Sequence, residues 1–264
     1  MDLKLSNKTA LVSGSTAGIG LAIVRSLAQE GATVIVNGRT VARVATAIDT
    51  LLAEFPTAKL VGLAVDLSTA EGVQTCVSKH PEIDILVNNL GIFEPKPFLE
   101  IPDADWQRFF EVNVLSGVRL SRAYLPGMLA RNWGRIIFIS SESGVNIPAE
   151  MIHYGMTKTA QLAVARGLAE TTAGTGVTVN SVLPGPTRSE GVEEFLQSMT
   201  LHQGISLETL EKQFFETVRS SSLLKRFATV EEVANLVAYV ASELSSATNG
   251  AALRVDGGCV RSVV

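Results

Sequence analysis

Charge is scarce in this chain and cysteine scarcer. Only 18% of its 264 residues are charged, and no run of Lys and Arg reaches five. With a net charge of −4 it offers no clustered cations to neutralise phosphates, so nucleic-acid binding is not expected. Two cysteines, Cys76 and Cys259, are too few for a disulfide framework and lack metal-ligand spacing. They read as idle thiols of a reducing cytoplasm. No stretch approaches the roughly 20 apolar residues of a membrane span, and Asn7-Lys8 interrupts any secretory segment. H-E-x-x-H and G-x-S-x-G are missing, which argues against zinc proteases and α/β-hydrolases. His80, His153 and His202 lack partners at ligand spacing and read as structural or exposed. No Pro/Ser/Gly-rich linker, repeat or low-complexity tract divides the chain, so a single domain over 1–264 is expected.

What is present is a large apolar fraction, 46%, enough to bury a sizeable core. Short β-branched runs alternate with longer helical patterns, the signature of a parallel sheet wrapped by helices. Strands are expected at Thr9–Ser13, Thr33–Asn37, Leu60–Val65, Ile85–Asn88, Arg135–Ser140, Val177–Leu183 and Ala252–Val255, covered on both faces. Helices are expected at Ile19–Glu30, Val41–Glu54, Thr69–Lys79, Asp103–Arg131, Tyr154–Thr172 and Val230–Leu244, the last opened by a Thr229/Glu232 capping box. Pro186–Arg226 breaks the rhythm: some 40 residues without a strand signal. A stretch that long between core elements is usually functional or mobile.

Gly14-Ser15-Thr16-Ala17-Gly18-Ile19-Gly20 follows the first strand and opens the first helix. Gly14 permits a tight turn, the small residues let backbone N–H groups reach a pyrophosphate, and Gly20 lets helix pack on strand. Tyr154-Gly155-Met156-Thr157-Lys158 puts a phenol and an ammonium on one helix face. A nearby cation favours the phenolate, so Lys158 is expected to lower the pKa of Tyr154 from its ordinary value of about 10. Ser141 lies 13 residues upstream, just past a strand, with Ser140 beside it.

Together these motifs resemble the short-chain dehydrogenase/reductase family, whose turn is T-G-x-x-x-G-x-G; Ser13 keeps the hydroxyl of its Thr. Asn88-Asn89-Leu90-Gly91 is similar to the family's N-N-A-G, with Leu90 the departure, and Val255-Asp256-Gly257-Gly258 to its C-terminal D-G-G. The resemblance implies a Rossmann-type, doubly wound, seven-stranded parallel sheet with helices on both faces. Its general pattern is similar to the 3-oxoacyl-carrier-protein reductase and ketoreductase branch. It implies that Ser141 polarises a substrate carbonyl, Tyr154 is the acid/base, Lys158 tunes it and binds ribose, and Asn113 holds a relay water. Cofactor contacts are implied at Gly14, Ser15, Thr16, Gly18, Ile19, Gly20, Arg39, Asp66, Leu67, Asn88, Gly91, Tyr154, Lys158, Pro184, Gly185 and Thr187.

An acid about 20 residues past the turn would hold an NAD ribose. The family's discriminating acid falls at Gly38, and Arg39 follows, so NADP(H) is expected over NAD(H), with Arg43 a possible second cation. The reaction implied is ketone–alcohol interconversion on a hydrophobic small molecule. Pro186–Arg226 forms either a substrate lid, with Phe195, Leu196, Met199, Leu201, Phe214, Phe215 and Val218 apolar and Glu194 among its acids, or a surface packed on the domain or a subunit. The resemblance implies a dimer or tetramer. An idle NADP(H) sensor or scaffold and a dehydratase or isomerase using the same tyrosine stay open.

Overall fold

Side-chain alternation assigns each residue of the inner strands to one of two layers. The computed structural model describes residues 2–263, apart from the side chains of Glu194, Phe195, Ser198, Leu201, His202 and Gln203. The expectations for Glu194, Phe195, Leu201 and His202 therefore lie outside the described residues. Strand β1 (Thr9–Val12) sends Ala10 and Val12 to one core and Leu11 to the other. Strand β2 (Thr33–Gly38) divides Val34 and Val36 from Ile35 in the same way.

The remaining strands are β3 (Lys59–Ala64), β4 (Ile85–Asn88), β5 (Gly134–Ile139), β6 (Val177–Pro184), β7 (Thr187–Arg188), β8 (Ala228–Thr229) and β9 (Ala252–Val255). Seven form one parallel sheet in the order β3-β2-β1-β4-β5-β6-β9, while β7 and β8 pair with each other. The order reverses between β1 and β4, and a crevice at the carboxyl ends of such a switch point is where open α/β sheets bind ligands. Cover on both faces holds for the inner strands. It fails at the edges, where Lys59, Val61 and Gly62 of β3 are exposed because no strand lies beyond them.

The helices are α1 (Gly18–Gln29), α2 (Val41–Glu54), α3 (Ala70–Lys79), α4 (Asp103–Phe110), α5 (Ser116–Ala130), α6 (Ile152–Thr171), α7 (Glu190–Gln203), α8 (Leu207–Gln213) and α9 (Val230–Ala241). One face of the sheet is covered by α1, α2 and α9 through residues such as Ile23, Leu51 and Val237. The opposite face takes α3, α5 and α6 through Val73, Leu120, Met128 and Ala165. Among the described residues no helix is long and apolar enough to cross a membrane.

Two expectations are corrected. The helix over 103–131 is interrupted by a wide π-helical turn at Glu111–Leu115, a device that widens one turn without ending the helix. The last helix stops at Ala241, because Ser242 is extended and its hydroxyl accepts from Leu244 N to start a new turn. At the other end the capping box is present: Thr229 Oγ1 accepts from Glu232 N at 3.2 Å, and Glu232 Oε2 accepts from Thr229 N at 2.8 Å.

Segment 186–226 builds a small core together with Phe227. Leu196, Leu210, Phe215 and Phe227 are buried together, with Met199 and Phe214 packed on them.

Candidate active site

The turn after β1 is tied down from beneath. Gly14 and Gly18 adopt left-handed backbone (φ +60° and +55°) that glycine tolerates best. At Gly20 a Cβ would lie 2.6 Å from both Asn89 Nδ2 and Gly14 O, so only glycine lets α1 sit this close. Ser15 turns its hydroxyl inward, donating to Val12 O at 2.7 Å and accepting from Asn37 N at 2.9 Å, and its own N–H donates to Asn37 O at 2.8 Å, so Ser15 shapes the turn. Thr16 and Ile19 are half-buried on either side. Ala17 caps α1 with no side-chain bond and no acid stands in the first turn, so the amides of that turn stay available to an anion.

Two asparagines hold this turn, Asn37 and Asn89, and neither belongs to the glycine motif itself. Asn37 Oδ1 accepts from Gly14 N at 3.0 Å, while its Nδ2 donates to Leu63 O and Val65 O. Asn89 Nδ2 donates to Ser13 O and Gly14 O. Asn88 Nδ2 donates to Ser121 Oγ at 3.2 Å, leaving its buried Oδ1 without a partner among the described residues. A buried Asn ending an apolar strand was the available signal for Asn37. Leu90 packs against Gly14, where a Cβ would stand 3.2 Å from Leu90 Cδ1, so the bulk of Leu90 is met by the missing side chain of Gly14. Ser13 Oγ accepts from Asn89 N and Leu90 N at 3.0 Å, the work of its retained hydroxyl.

At the end of β2 a Cβ on Gly38 would come within 2.5 Å of Thr16 Cγ2, so an acid there requires the Thr16 side chain to shift. Arg39 and Arg43 are exposed beside it, and among the described residues neither has an acidic partner. Asp66 is exposed, its Oδ1 accepting from Ser68 Oγ at 2.6 Å, whereas the Leu67 side chain is buried in the core. Pro184-Gly185 packs on the C-terminal strand: a Cβ at Gly185 would lie 2.5 Å from Asp256 O. Thr187 Oγ1 donates to Gly185 O at 2.9 Å, and Ser189 reaches the start of α1 at Gly18.

The reactive groups converge where β5 ends. Ser140 and Ser141 are distinguished by their surroundings: Ser140 Oγ donates to Lys158 O at 2.9 Å, while Ser141 Oγ accepts from Ser143 N at 3.1 Å and faces the Tyr154 phenol. Lys158 Nζ lies 5.6 Å from the centre of the Tyr154 ring, so phenol and ammonium share one cleft. Gly91 opens onto the same space, a Cβ there meeting Lys158 Nζ at 3.5 Å.

The electrostatics differ from expectation. Burial pushes the Tyr154 phenol up to about 12; the bond with Ser141 pulls down, Glu142 pushes up and Arg219 pulls down. Burial presses the Lys158 ammonium down to about 7. The lowered phenol expected from a neighbouring lysine is therefore not what this state holds. Lys158 is turned to other acceptors, donating to Ile139 O at 2.9 Å and to Gln161 Oε1 at 3.2 Å.

Asn113 sits in the π turn. Its Oδ1 accepts from Ile92 N at 2.8 Å, and its Nδ2 donates to Ile92 O and Thr157 Oγ1 at 3.0 Å each. The Asn113 backbone carbonyl accepts from Gln161 Nε2 at 2.6 Å. Neither Gln161 nor the buried pair Glu142–Arg219 was visible in the motifs. Arg219 Nε donates to Glu142 Oε1 at 3.0 Å, joining the residue after Ser141 to segment 186–226. Phe93 stands edge-on to Tyr154 at 6.4 Å and is half exposed. His153, next to Tyr154, is wholly buried against Phe109 and Trp106 and takes no part in the cleft.

A family model described as enoyl-(acyl carrier protein) reductase matches residues 14–260. The uncharacterized oxidoreductase YvaG of Bacillus subtilis is 51% identical over 263 residues, covering 100% of both chains. The 3-oxoacyl-[acyl-carrier-protein] reductase FabG of Aquifex aeolicus is 34% identical, over 98% of this chain and 99% of its own. Among solved structures, L-sorbose reductase from Gluconobacter frateurii, complexed with NADPH and L-sorbose, superposes with a TM-score of 0.92 at 32% identity, covering 100% of both chains.

Proposed function

The chain belongs to the short-chain dehydrogenase/reductase family of oxidoreductases, and from that premise we propose that it interconverts a ketone and a secondary alcohol with NADP(H). The observation that carries this reading is the meeting of Ser141, Tyr154 and Lys158 in one cleft beside Gly91, at the carboxyl edge of the sheet.

The backbone N–H groups of Thr16, Gly18, Ile19 and Gly20 would hold the pyrophosphate, with Gly14 and Ser15 shaping the turn through their bonds to Asn37. Asp66 and the backbone of Leu67 would meet the adenine; Asn88, Gly91, Pro184, Gly185 and Thr187 frame the nicotinamide end. Arg39, with Arg43, grips a 2′-phosphate through its planar fork. The NADPH held by the sorbose reductase supports the same choice. Reduced nicotinamide supplies, when bound, the hydride that forms the new C–H bond.

All other chemistry falls to the chain. Ser141 donates to the carbonyl oxygen and polarises it. Tyr154 stays protonated at neutral pH, since burial holds it near 12, and it gives that proton to the oxygen as the alcohol forms. A phenol held in its acid form is set for the reductive direction. Lys158 binds the ribose hydroxyls and offsets the negative charge left on the phenolate. Asn113 holds Ile92 against Thr157 and so fixes the wall beside Gly91.

Half-exposed Phe93, Val145, Ile147 and Val218 stand near the reactive residues and favour a substrate with an apolar flank. Segment 186–226 serves as the wall over that flank. Exposed Phe98, Leu99 and Phe110 beside α4 suit contact with a second copy, and buried free Cys76 and Cys259 suit a reducing cytoplasm. The test is NADPH oxidation across β-ketoacyl thioesters, apolar ketones and polyhydroxylated ketones. Turnover with at least one class is expected; none with any class, at NADPH concentrations that saturate binding, contradicts the reading.

A further inference from the structure

Gln161 lies one helical turn beyond Lys158 on α6 and is almost wholly buried, with 1% of its surface exposed. Its amide bridges two groups of the candidate site. Oε1 accepts from Lys158 Nζ at 3.2 Å, and Nε2 donates to Asn113 O at 2.6 Å. The orientation of an amide is assigned from its partners. Here an ammonium only donates and a carbonyl only accepts, so one orientation alone satisfies both.

We propose that Gln161 is a positioning residue of the acid/base pair, tying the Lys158 ammonium at the inner end of the cleft to the Asn113 carbonyl. The inference rests on the proposed function in taking Lys158 as part of the site. As the alcohol O–H forms, the Tyr154 O–H breaks, and the Lys158 ammonium anchored by Gln161 offsets the charge left on the phenolate.

The surroundings make the lysine sensitive to this one partner. β5 contributes the uncharged carbonyl of Ile139, the π turn contributes Asn113, and the tail of β4 contributes Gly91. On α6 itself the titratable neighbour is Tyr154, whose phenol is protonated at neutral pH. Burial is the cause that depresses Lys158, with no carboxylate opposing it.

The test uses the full chain without cofactor, so it does not depend on activity. Lysine labelled with carbon-13 at Cε is titrated by NMR in wild type, Gln161→Leu and Gln161→Glu, with Lys158→Arg to assign the signal. Loss of the acceptor in Gln161→Leu should lower the Lys158 midpoint. A carboxylate at the same place in Gln161→Glu should raise it by about 1–3 units. Opposite shifts support the proposal, and a merely structural glutamine does not produce them. Equal midpoints in all three, or shifts of the same sign, overturn it. If Gln161→Leu does not fold, the direction of the Gln161→Glu shift decides alone. Inactivity on the ketone panel with these opposite shifts intact contradicts the proposed function and spares this inference.

Discussion

At the scale of single residues, the site depends on side chains that are missing as much as on those present. Gly20 is the clearest case. A methyl there meets Asn89 Nδ2, Gly14 O and Ser15 Cα, all within 3 Å and two of them backbone atoms. Gly20→Ala should cost about 1–3 kcal/mol and weaken NADPH binding at least tenfold. Gly167, exposed in the interior of α6 with no atom within 4 Å of where a methyl would sit, should behave oppositely, with Gly167→Ala gaining about 0.5–1 kcal/mol. Urea unfolding midpoints and a fluorescence titration of NADPH check both; equal effects at the two sites contradict the packing described. Arg39 makes a separate claim. Arg39→Ala should raise the Kd for NADPH about tenfold while leaving that for NADH within about twofold, as removing one charge-assisted phosphate contact implies. A parallel loss for both cofactors removes the case for a 2′-phosphate site.

Residue types that announce chemistry were legible: the glycine turn, the Tyr154/Lys158 spacing and the serine after β5 all meet in the structure. The bonds of Asn37, Asn89 and Gln161 were not: Asn37 ends an apolar strand and Asn89 stands in the Asn88–Gly91 motif, but their partners, like that of Gln161, lie 23, 75 and 48 residues away. The pKa values were misread for a related reason. Spacing places a cation near Tyr154, but burial depends on everything packed around the pair.

Among the elements, the inner strands and α2 fall where periodicity puts them, since their patterns are set by two apolar faces or one stripe. What local pattern missed is the π turn at Glu111–Leu115, stabilised by bonds from Asn113 to a distant loop. The apolar residues of segment 186–226 were ambiguous in sequence, and most of those described are spent on a core shared with Phe227.

The contact between α4 and α6 carries its own prediction. His153 on α6 is wedged against Phe109 and Trp106, and neither ring nitrogen has a hydrogen-bond partner among the described residues. Burial lowers its pKa below the ordinary 6.5, with Lys96 and Arg108 lowering it further and Asp105 and Glu94 opposing. The unfolded chain therefore binds the proton at a higher pH than the folded one. Stability from this residue is present above the ordinary value and lost as pH falls through it. Between about pH 7.5 and 5.5, around the unperturbed histidine value, the wild-type Tm should drop more steeply than that of His153→Phe. Parallel curves contradict a buried neutral imidazole.

For the whole molecule, the sheet order β3-β2-β1-β4-β5-β6-β9 brings the glycine turn from one half and the Ser141–Tyr154–Lys158 group from the other to the same edge. Each half is unremarkable alone; the switch between β1 and β4 creates the cleft. The proposed chemistry requires that this cleft bind NADPH and transfer a proton through a single phenol. Tyr154→Phe separates those two duties, since it keeps the ring against Phe93 and removes only the hydroxyl. Turnover and NADPH affinity should be measured on the same preparation, with the best ketone found for the wild type. Turnover is expected to fall by ~10²–10⁴-fold with the Kd for NADPH unchanged within about twofold; turnover close to wild type would contradict the role given to Tyr154.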